Sequence, residues 1–437
     1  MKPPQYRSHF HPTSRAPGSL LPLGAIMAGM MLSHGATHAQ GAAAKADDKE
    51  LPTTKIESDR DKPDGLRATT TRVGKTLQDP HDIPQAVTSI TNTLMGLGTF
   101  PASDRQFLGM LGMHGTYEAN LAMYNCDVLI NIGARFDDRI TGKIAEFSPK
   151  SKKIHVDIDG SSINKNVRVD LPIIGDAGQA LEDMIKVWKA KQPKPDQKAL
   201  KAWWAQIDEW RGRNCLAYKQ DKQTIKPQYA LERLYHHIKD RDHYITTEVG
   251  QHQMWAAQFL KFQQPNRWMT SGGLGTMGYG FPAAMGVQIA HPDALVIDVA
   301  GEASIMMNIQ ELSTVAQYRL PVKIFILNNQ YMGMVRQWQE LLHGGRYSES
   351  YMESLPDFVK LAEAFGAVGL RTDKPADLDG VIQEMIKIKK PVVVDIGVDK
   401  AENCFPMIPS GAAHYDMLLG PEDRAAKPVS EEGMVLV

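Results

Sequence analysis

The stretch LVIDVAGEASIMMNIQEL, from Leu295 to Leu312, decides the fold. Its apolar start predicts a buried strand that ends at a glycine, and the single acid Glu302 follows where a helix begins. The stretch KIFILNNQYMGM, from Lys323 to Met334, has the same order and ends its strand at a pair of asparagines that includes Asn329. Because parallel strands place their carboxyl ends on one edge of an open sheet, Glu302 and Asn329 are expected to converge there.

The composition describes a globular chain without a general attraction to polyanions. The chain has 437 residues, of which 43% are hydrophobic, and its 49 Lys and Arg nearly balance its 50 Asp and Glu. This balance gives no support to nucleic acid or an anionic membrane as a partner. After the N-terminal region no apolar run reaches the ~20 residues of a membrane span. Cys126, Cys215 and Cys404 lie far apart without metal-type spacing, which predicts three buried thiols.

The N-terminal region differs from the rest of the chain. Residues 1–39 have basic residues, then an apolar stretch, then small residues near Ala39, which is the order of a secretory signal peptide that would direct export. A cytosolic leader with a chance apolar patch is the alternative. Residues 40–93 are polar and are predicted to be mostly disordered. ELPTTKIES and TRVGKTLQDPHDIPQAVTSITNTLM resemble the plug start of TonB-dependent siderophore receptors, but no barrel pattern follows.

From about Leu94 the pattern becomes that of α/β units. We predict a partial central domain over 94–190, a linker with a tryptophan-rich helix over 191–225, and a doubly wound parallel-sheet domain over 226–437. Trp203, Trp204 and Trp210 are interpreted as packing residues. The predicted strands are Val128–Ile132, Tyr244–Thr246, Ala294–Val299, Lys323–Leu327 and Val392–Ile396, and the predicted helices include Met306–Tyr318, Asp357–Phe365 and one entered at Pro282.

The two strand ends have the chemistry of a metal and diphosphate site. A carboxylate and an amide oxygen suit a hard cation such as Mg²⁺, which is often shared with phosphates. Gly301, Ala303 and Ser304 leave backbone N–H groups open for an anion. Taken alone, GEAS is more typical of an ordinary helix cap, and NN is typical of an ordinary turn.

Two glycine-containing segments strengthen this prediction. TTEVGQHQMWAAQ ends a strand at Gly250 and then presents Gln251 and His252. WMTSGGLGTMGYGFPAAMG has glycines at positions 272, 273, 275, 278 and 280, with Met277 as the bulky side chain among them. So many glycines allow a backbone to approach a ligand closely.

The segments GMLGMHGTYEAN, INIGARFDDRITG, TEVGQHQMWAAQ, TSGGLGTMGYG, ILNNQYMGMVRQWQ and CFPMIPSGAAH occur in this order. From about Leu94 to the end, the chain resembles the catalytic subunit of acetolactate synthase, a thiamine-diphosphate enzyme of branched-chain amino-acid biosynthesis. The resemblance implies condensation of two pyruvates, or of pyruvate with 2-ketobutyrate, with release of CO₂. It also implies Mg²⁺, a structural FAD, a homodimer or tetramer, a regulatory subunit and a cytoplasmic location, which conflicts with the signal-like start.

The resemblance assigns roles by position. The implied metal ligands are Glu302, Asn329 and the carbonyl of Tyr331. Met277 is implied to lie under the cofactor, Met334 to border it, and Trp338 to bound the pocket of the second 2-keto acid. The residues implied to contact the diphosphate are Gly250, Gln251, His252, Gly301, Ala303, Ser304 and Gly333. The residues implied to hold FAD are Leu111, Gly112, Met113, His114, Gly133, Ala134, Arg135, Asp137, Arg139, Asp157, Ile158, Asp176 and Ala177. Two alternatives remain at these positions: His114 is an ordinary loop histidine, or ARFDDR is a solvated loop.

The sequence departs from the family pattern in two ways. Glu302 stands where the family has Asp, and the longer side chain predicts weakened Mg²⁺ binding. The family's HEQGA-like motif, whose glutamate protonates the cofactor's aminopyrimidine, does not occur. We therefore expect a truncated chimera, joined near Thr93–Met95, with impaired or no activity alone. Two alternatives are an exported non-catalytic protein and another thiamine-diphosphate enzyme, such as a glyoxylate carboligase, pyruvate oxidase or decarboxylase; Met334 and Trp338 favour the synthase.

Overall fold

The computed structural model describes residues 72–73, 76–77 and 89–425. The signal-like segment 1–39 and most of segment 40–93 lie outside these residues. Two short strands, β1 (Arg72–Val73) and β2 (Thr76–Leu77), pair in an antiparallel manner. In the part that is described, none of the helices is both long and apolar enough to cross a bilayer.

The first α/β region contains two small parallel sheets. β3 (Ile90–Asn92) pairs with β4 (Phe107–Met110), and β3 begins before the boundary predicted at residue 94. A separate sheet has the order β5-β6-β7. The remaining elements in chain order are α1 (Tyr117–Asn125), β5 (Val128–Ile132), α2 (Asp138–Thr141), β6 (Lys152–Asp157), β7 (Leu171–Ile174) and α3 (Ala177–Lys191).

The tryptophan-rich helix α4 (Gln197–Arg211) packs on this region. Trp210 is buried beside Leu108 and Ile207, and the rings of Trp203 and Trp210 meet edge to face. The packing role that the sequence predicted for these tryptophans is therefore observed.

The second α/β region is a six-stranded sheet with the order β12-β13-β11-β10-β8-β9, in which every neighbouring pair is parallel. Its elements are α5 (Pro227–Ile238), β8 (His243–Thr247), α6 (Gln251–Phe259), β9 (Trp268–Thr270), α7 (Gly280–Ala290), β10 (Leu295–Ala300), α8 (Glu302–Ile305), α9 (Leu312–Tyr318), β11 (Lys323–Asn328), α10 (Gly333–Leu341), α11 (Phe358–Ala364), β12 (Val368–Thr372), α12 (Leu378–Lys387) and β13 (Val392–Gly397).

Both faces of this sheet are covered. Successive residues of β10 alternate between two apolar cores: Ile297 and Val299 pack on one side, and Val296 and Ala300 pack on the other. A strand with two buried faces reads as a continuous apolar run, which is the pattern of LVIDVA. The predicted doubly wound α/β fold is confirmed.

Several sequence predictions need correction. The helix predicted over Met306–Tyr318 is a 3-10 segment, Met306–Glu311, followed by α9, because Asn308 leaves helical geometry. The helix expected to enter at Pro282 begins two residues earlier. Of the three cysteines predicted to be buried, only Cys404 is; Cys126 and Cys215 are partly exposed, since they lie at the end of α1 and in the loop after α4.

Candidate functional site

The candidate site lies where the strand order of the large sheet reverses. The chain passes from β8 outward to β9 and then returns across β8 to β10, so the loops after β8 and β10 diverge at one point of the carboxyl edge. Open α/β sheets bind ligands at such points. The His252 ring fills this place, because a Cβ at Gly250 would lie 2.7 Å from its Cε1 and a Cβ at Gly301 2.7 Å from its Nδ1.

Glu302 and Asn329 meet at one backbone N–H group. The amide of Tyr331 donates to Glu302 Oε1 at 2.7 Å and to Asn329 Oδ1 at 3.0 Å. Both side chains are buried, and only 1% of Glu302 is exposed. β10 and β11 run in parallel with Ala300 beside Ile326, so the residues that follow them reach the same edge. The structure thus brings together the acid and the amide that the sequence placed at two strand ends.

The Glu302 carboxyl is buried and poorly hydrated. Burial raises its pKa from 4.5 to about 7, and the N–H of Tyr331 only partly offsets this. A nearby positive charge favours the ionised form of a buried carboxyl. The site therefore favours the neutral carboxyl, and a cation close to Glu302 would shift it to the ionised form.

The neighbouring polar side chains do not all face a ligand. Gln251 is buried and its amide bonds to Asn329 and Gln337. The Ser304 hydroxyl bonds to the carbonyl of Gly301, within its own turn. His252 differs from them: its Nε2 is buried without a partner, and burial lowers the pKa of the ring to about 3, so the imidazole is neutral.

The glycine-rich loop is held by an acid that the sequence analysis did not single out. Glu248, which follows β8, accepts the N–H of Gly278 at 2.6 Å and the N–H of Phe281 at 3.0 Å, and the N–H groups between them face the same carboxylate. Asp298 lies beside it, and burial together with the Glu248 charge raises the pKa of Asp298 well above its usual range. Met277, which is half-buried, immediately precedes the anchored segment. In the sequence, the available signal is an acid at the end of a strand, two residues before Gly250, in TTEVGQ.

Helix α10 carries the residues assigned to the substrate side. Arg336 fixes it to the 401–403 segment by donating to Glu402 O at 2.8 Å and to Asn403 Oδ1 at 2.6 Å. Trp338, from the same helix, lies under the Arg139 guanidinium, which is 5.1 Å from its ring centroid. Arg139 was assigned to FAD and Trp338 to the keto-acid pocket, so the structure places residues of the two predicted sites in contact.

The residues assigned to FAD follow the carboxyl ends of β4, β5, β6 and β7. Met113 N donates to Arg139 O at 2.7 Å, which joins the loops after β4 and β5. Asp137 and Asp176 cap α2 and α3 with their side chains. The Nδ1–H of His114 donates to Pro406 O at 3.0 Å, while its buried Nε2 has no partner. Ile158, which is 76% exposed, follows β6, so an apolar side chain stands open at this edge.

Two family models match the chain. The model described as "Thiamine pyrophosphate enzyme, C-terminal TPP binding domain" matches residues 248–396, and "Thiamine pyrophosphate enzyme, central domain" matches residues 85–184. The first match contains Glu248, Glu302 and Asn329, and the second contains all the positions assigned to FAD.

Curated relatives agree with these models. The acetolactate synthase isozyme 3 large subunit of Escherichia coli is 49% identical over 335 residues, which are 76% of this chain and 58% of the relative. The Haemophilus influenzae acetolactate synthase large subunit is 49% identical over 76% of this chain and 57% of its own. That of the alga Porphyra purpurea is 45% identical over 79% of this chain and 57% of its own. The chain thus spans somewhat more than half the length of the curated relatives it matches. It contains the central and C-terminal domains of thiamine pyrophosphate enzymes and is a homologue of acetolactate synthase large subunits.

Proposed function

We propose that this protein binds thiamine diphosphate through Mg²⁺ and serves the condensation of two 2-keto acids with release of CO₂, either two pyruvates or pyruvate and 2-ketobutyrate. One observation carries the proposal. The oxygens of Glu302 and Asn329 both lie within hydrogen-bond distance of the Tyr331 N–H at the carboxyl edge of a parallel sheet, beside its switch point.

The donor atoms fit a hard divalent cation. Glu302 supplies a carboxylate oxygen and Asn329 an amide oxygen, and Tyr331 adds a backbone carbonyl in the same turn. Mg²⁺ prefers oxygen ligands and is often bound by one or two carboxylates together with substrate phosphates. Burial favours the neutral form of Glu302, and a cation beside it would favour the ionised form that binds a metal.

The surroundings also fit a diphosphate. The neutral His252 ring has a free, buried Nε2, and the adjoining Gly250 and Gly301 leave no side chain between the two loops. In the neutral ring Nδ1–H donates to the Glu248 carbonyl, so Nε2 has a lone pair and no hydrogen. A bound diphosphate would favour the protonated ring, whose Nε2–H would then donate to a phosphate oxygen and satisfy this buried atom. The backbone N–H groups of 302–304 are proposed to bind the diphosphate as well, whereas the Gly301 N–H already donates to Ser304 Oγ at 3.2 Å.

When it is bound, thiamine diphosphate supplies the electron sink that decarboxylation of a 2-keto acid requires. The residues of this chain hold and enclose it. Met277, next to the loop that Glu248 anchors, is proposed to support the cofactor from below, and Met334 to border it. Trp338, fixed through α10 and Arg139, is proposed to form the wall of the keto-acid pocket and to exclude water from it.

FAD is proposed as a structural cofactor of the first α/β region. The free buried Nε2 of His114, the exposed Ile158 and the open surroundings of Gly133 leave polar and apolar contacts available at the carboxyl edge of these strands. We also propose a homo-oligomer that a regulatory subunit joins, in the cytoplasm. Analytical ultracentrifugation with and without FAD tests both the oligomer and the cofactor's structural role.

The test separates binding from turnover. Calorimetric titration of the purified chain with thiamine diphosphate in Mg²⁺ is expected to show one site, and the same titration in EDTA none. No HEQGA-like segment occurs in the sequence, so we expect little acetolactate from pyruvate with the chain alone. Absence of Mg²⁺-dependent binding would overturn the proposed site, and turnover like that of an intact synthase would overturn the account of the glutamate.

A further inference from the structure

Three buried side-chain amides, Asn329, Gln251 and Gln337, form a hydrogen-bonded chain that we name the amide triad. Asn329 Nδ2 donates to Gln251 Oε1 at 3.2 Å, and Gln251 Nε2 donates to Gln337 Oε1 at 2.8 Å. Their exposed fractions are 4%, 2% and 0%, respectively. Water therefore has little access to these bonds, and each amide must find its partners within the protein.

Two neighbouring backbone residues set the direction of the whole chain. Gln251 Nε2 also donates to Glu402 O at 3.2 Å, and Gln337 is held by Cys404. The Cys404 N–H donates to Gln337 Oε1 at 2.7 Å, and its carbonyl accepts from Gln337 Nε2 at 3.3 Å. A carboxamide held by a donor and an acceptor of the same backbone residue has one satisfied orientation. Gln337 thus turns its oxygen towards Gln251, and Gln251 in turn presents its oxygen to Asn329.

The direction of the amide triad determines which atom of Asn329 lies at the candidate metal site. Because the Asn329 Nδ2 is engaged by Gln251, its Oδ1 is the atom that remains beside Glu302, where it accepts the N–H of Tyr331. The reverse orientation would turn a donor to this place, and an N–H cannot bind a cation.

Gly333, the first residue of α10, allows the triad to form. A Cβ at this position would collide with Gln251 Oε1 and lie 2.9 Å from Asn329 Nδ2. Gln337 lies one turn further along the same helix, next to Trp338. The helix of the proposed substrate wall is therefore tied to the proposed metal ligand.

We propose that Gln337 is a positioning residue: acting through Gln251, and together with Glu402 O, which also accepts from Gln251 Nε2, it fixes which end of the Asn329 carboxamide faces Glu302. The orientation itself does not depend on the proposed function, and only its effect on a bound cation rests on that function. Gln339 provides a matched control, since it lies on the same helix and bonds instead to Ser348 O and to Ser350 Oγ.

The first experiment uses the full chain without metal. Exchange of the Asn329 side-chain NH₂ protons with water is measured by NMR, with the signal assigned by its loss in Asn329→Ala. Gln337→Met is expected to accelerate the exchange at least tenfold, while Gln339→Met leaves it within twofold of the original rate. Gln251→Met cuts the chain at its middle and must accelerate the exchange as well, which keeps the test decisive if Gln337→Met does not fold. Unchanged exchange in a folded Gln337→Met or Gln251→Met variant overturns the proposal.

The second experiment measures Mn²⁺ binding by EPR in the presence of thiamine diphosphate. Gln337→Met and Gln251→Met are each expected to weaken binding about tenfold, and the double variant to be no weaker than either one, because both break the same chain. Multiplying effects, or full affinity in Gln337→Met, would overturn the proposal. If the unsubstituted chain holds no Mn²⁺, the proposed function fails, while the exchange experiment still decides the orientation.

Discussion

Replacing Glu302 by Gln is expected to stabilise the metal-free protein at alkaline pH and to change little in acid. The Gln side chain keeps an oxygen for the Tyr331 N–H but removes the buried carboxyl. In the folded state this carboxyl has a pKa of about 7, against an ordinary value of 4.5. The unfolded chain therefore ionises it first, and the folded state loses stability as the pH rises from 4.5 to 7.

The magnitude follows from the pKa change. A rise from 4.5 to about 7 corresponds to about 3 kcal/mol of stability that is lost once the carboxyl is ionised. Glu302→Gln should thus raise the free energy of unfolding by about 3 kcal/mol at pH 8 and by less than about 1 kcal/mol at pH 5. At a urea m-value of about 3 kcal/mol/M, the midpoint moves by about 1 M at pH 8.

The assay is urea unfolding of the original chain and the variant at both pH values, without Mg²⁺ and with EDTA. Comparing the variants at each pH cancels the other titrating groups. Glu353→Gln is the control, because this carboxyl is exposed and the same substitution should shift neither midpoint. Equal midpoints for Glu302→Gln and the original chain at pH 8 would refute the reasoning.

Three other predictions follow from the same geometry. Glu302→Asp, which shortens the longer acid, should tighten Mg²⁺ binding in the presence of thiamine diphosphate, and unchanged affinity by calorimetry would count against this. Gly333→Ala should weaken Mg²⁺ binding about tenfold at nearly unchanged helix content, since its Cβ collides with Gln251; a normal affinity would show that the triad is not needed. Burial lowers the pKa values of His114, His252 and His414 from 6.5 to about 4, 3 and 4. The folded state therefore holds these rings neutral, and the stability that this contributes is fully present above pH 6.5 and is lost as the pH falls below it. At pH 5 each of these histidines should lower the free energy of unfolding by about 2 kcal/mol. Replacing His252 by Gln should therefore make the urea midpoint less sensitive to acid than in the original chain.

The fold and the centre of the site could be predicted from local patterns. The apolar runs that form β10 and β11 are buried on both faces, and the polar residues after them must lie on one edge, so Glu302 and Asn329 could be paired without a structure. β9 and β12 were missed because they are short, or contain Gly369 and Arg371, and lack a continuous apolar run.

The contacts that fix the site depend on distant parts of the chain and could not be predicted in this way. The backbone of Cys404 orients Gln337. Arg139, on helix α2 of the first α/β region, contacts Trp338 on helix α10 of the second. Nothing in the spacing of these residues predicts such pairs. Glu248 is different, because its position at a strand end, two residues before Gly250, is visible in the sequence. An acid at a strand end nevertheless has many possible partners, and the loop that it holds lies about 30 residues further on.

The anchoring of the glycine-rich loop by Glu248 has an entropic consequence. Ordering a backbone residue costs about 1–2 kcal/mol, and glycine loses the most freedom. The carboxylate already fixes the segment around Gly278 and Phe281 during folding, whereas Leu274, at the other end of the loop, is 95% exposed. When this loop closes over a ligand, only its exposed half still has to be ordered. More of the ligand's interaction energy then remains as affinity, as in any preorganised receptor.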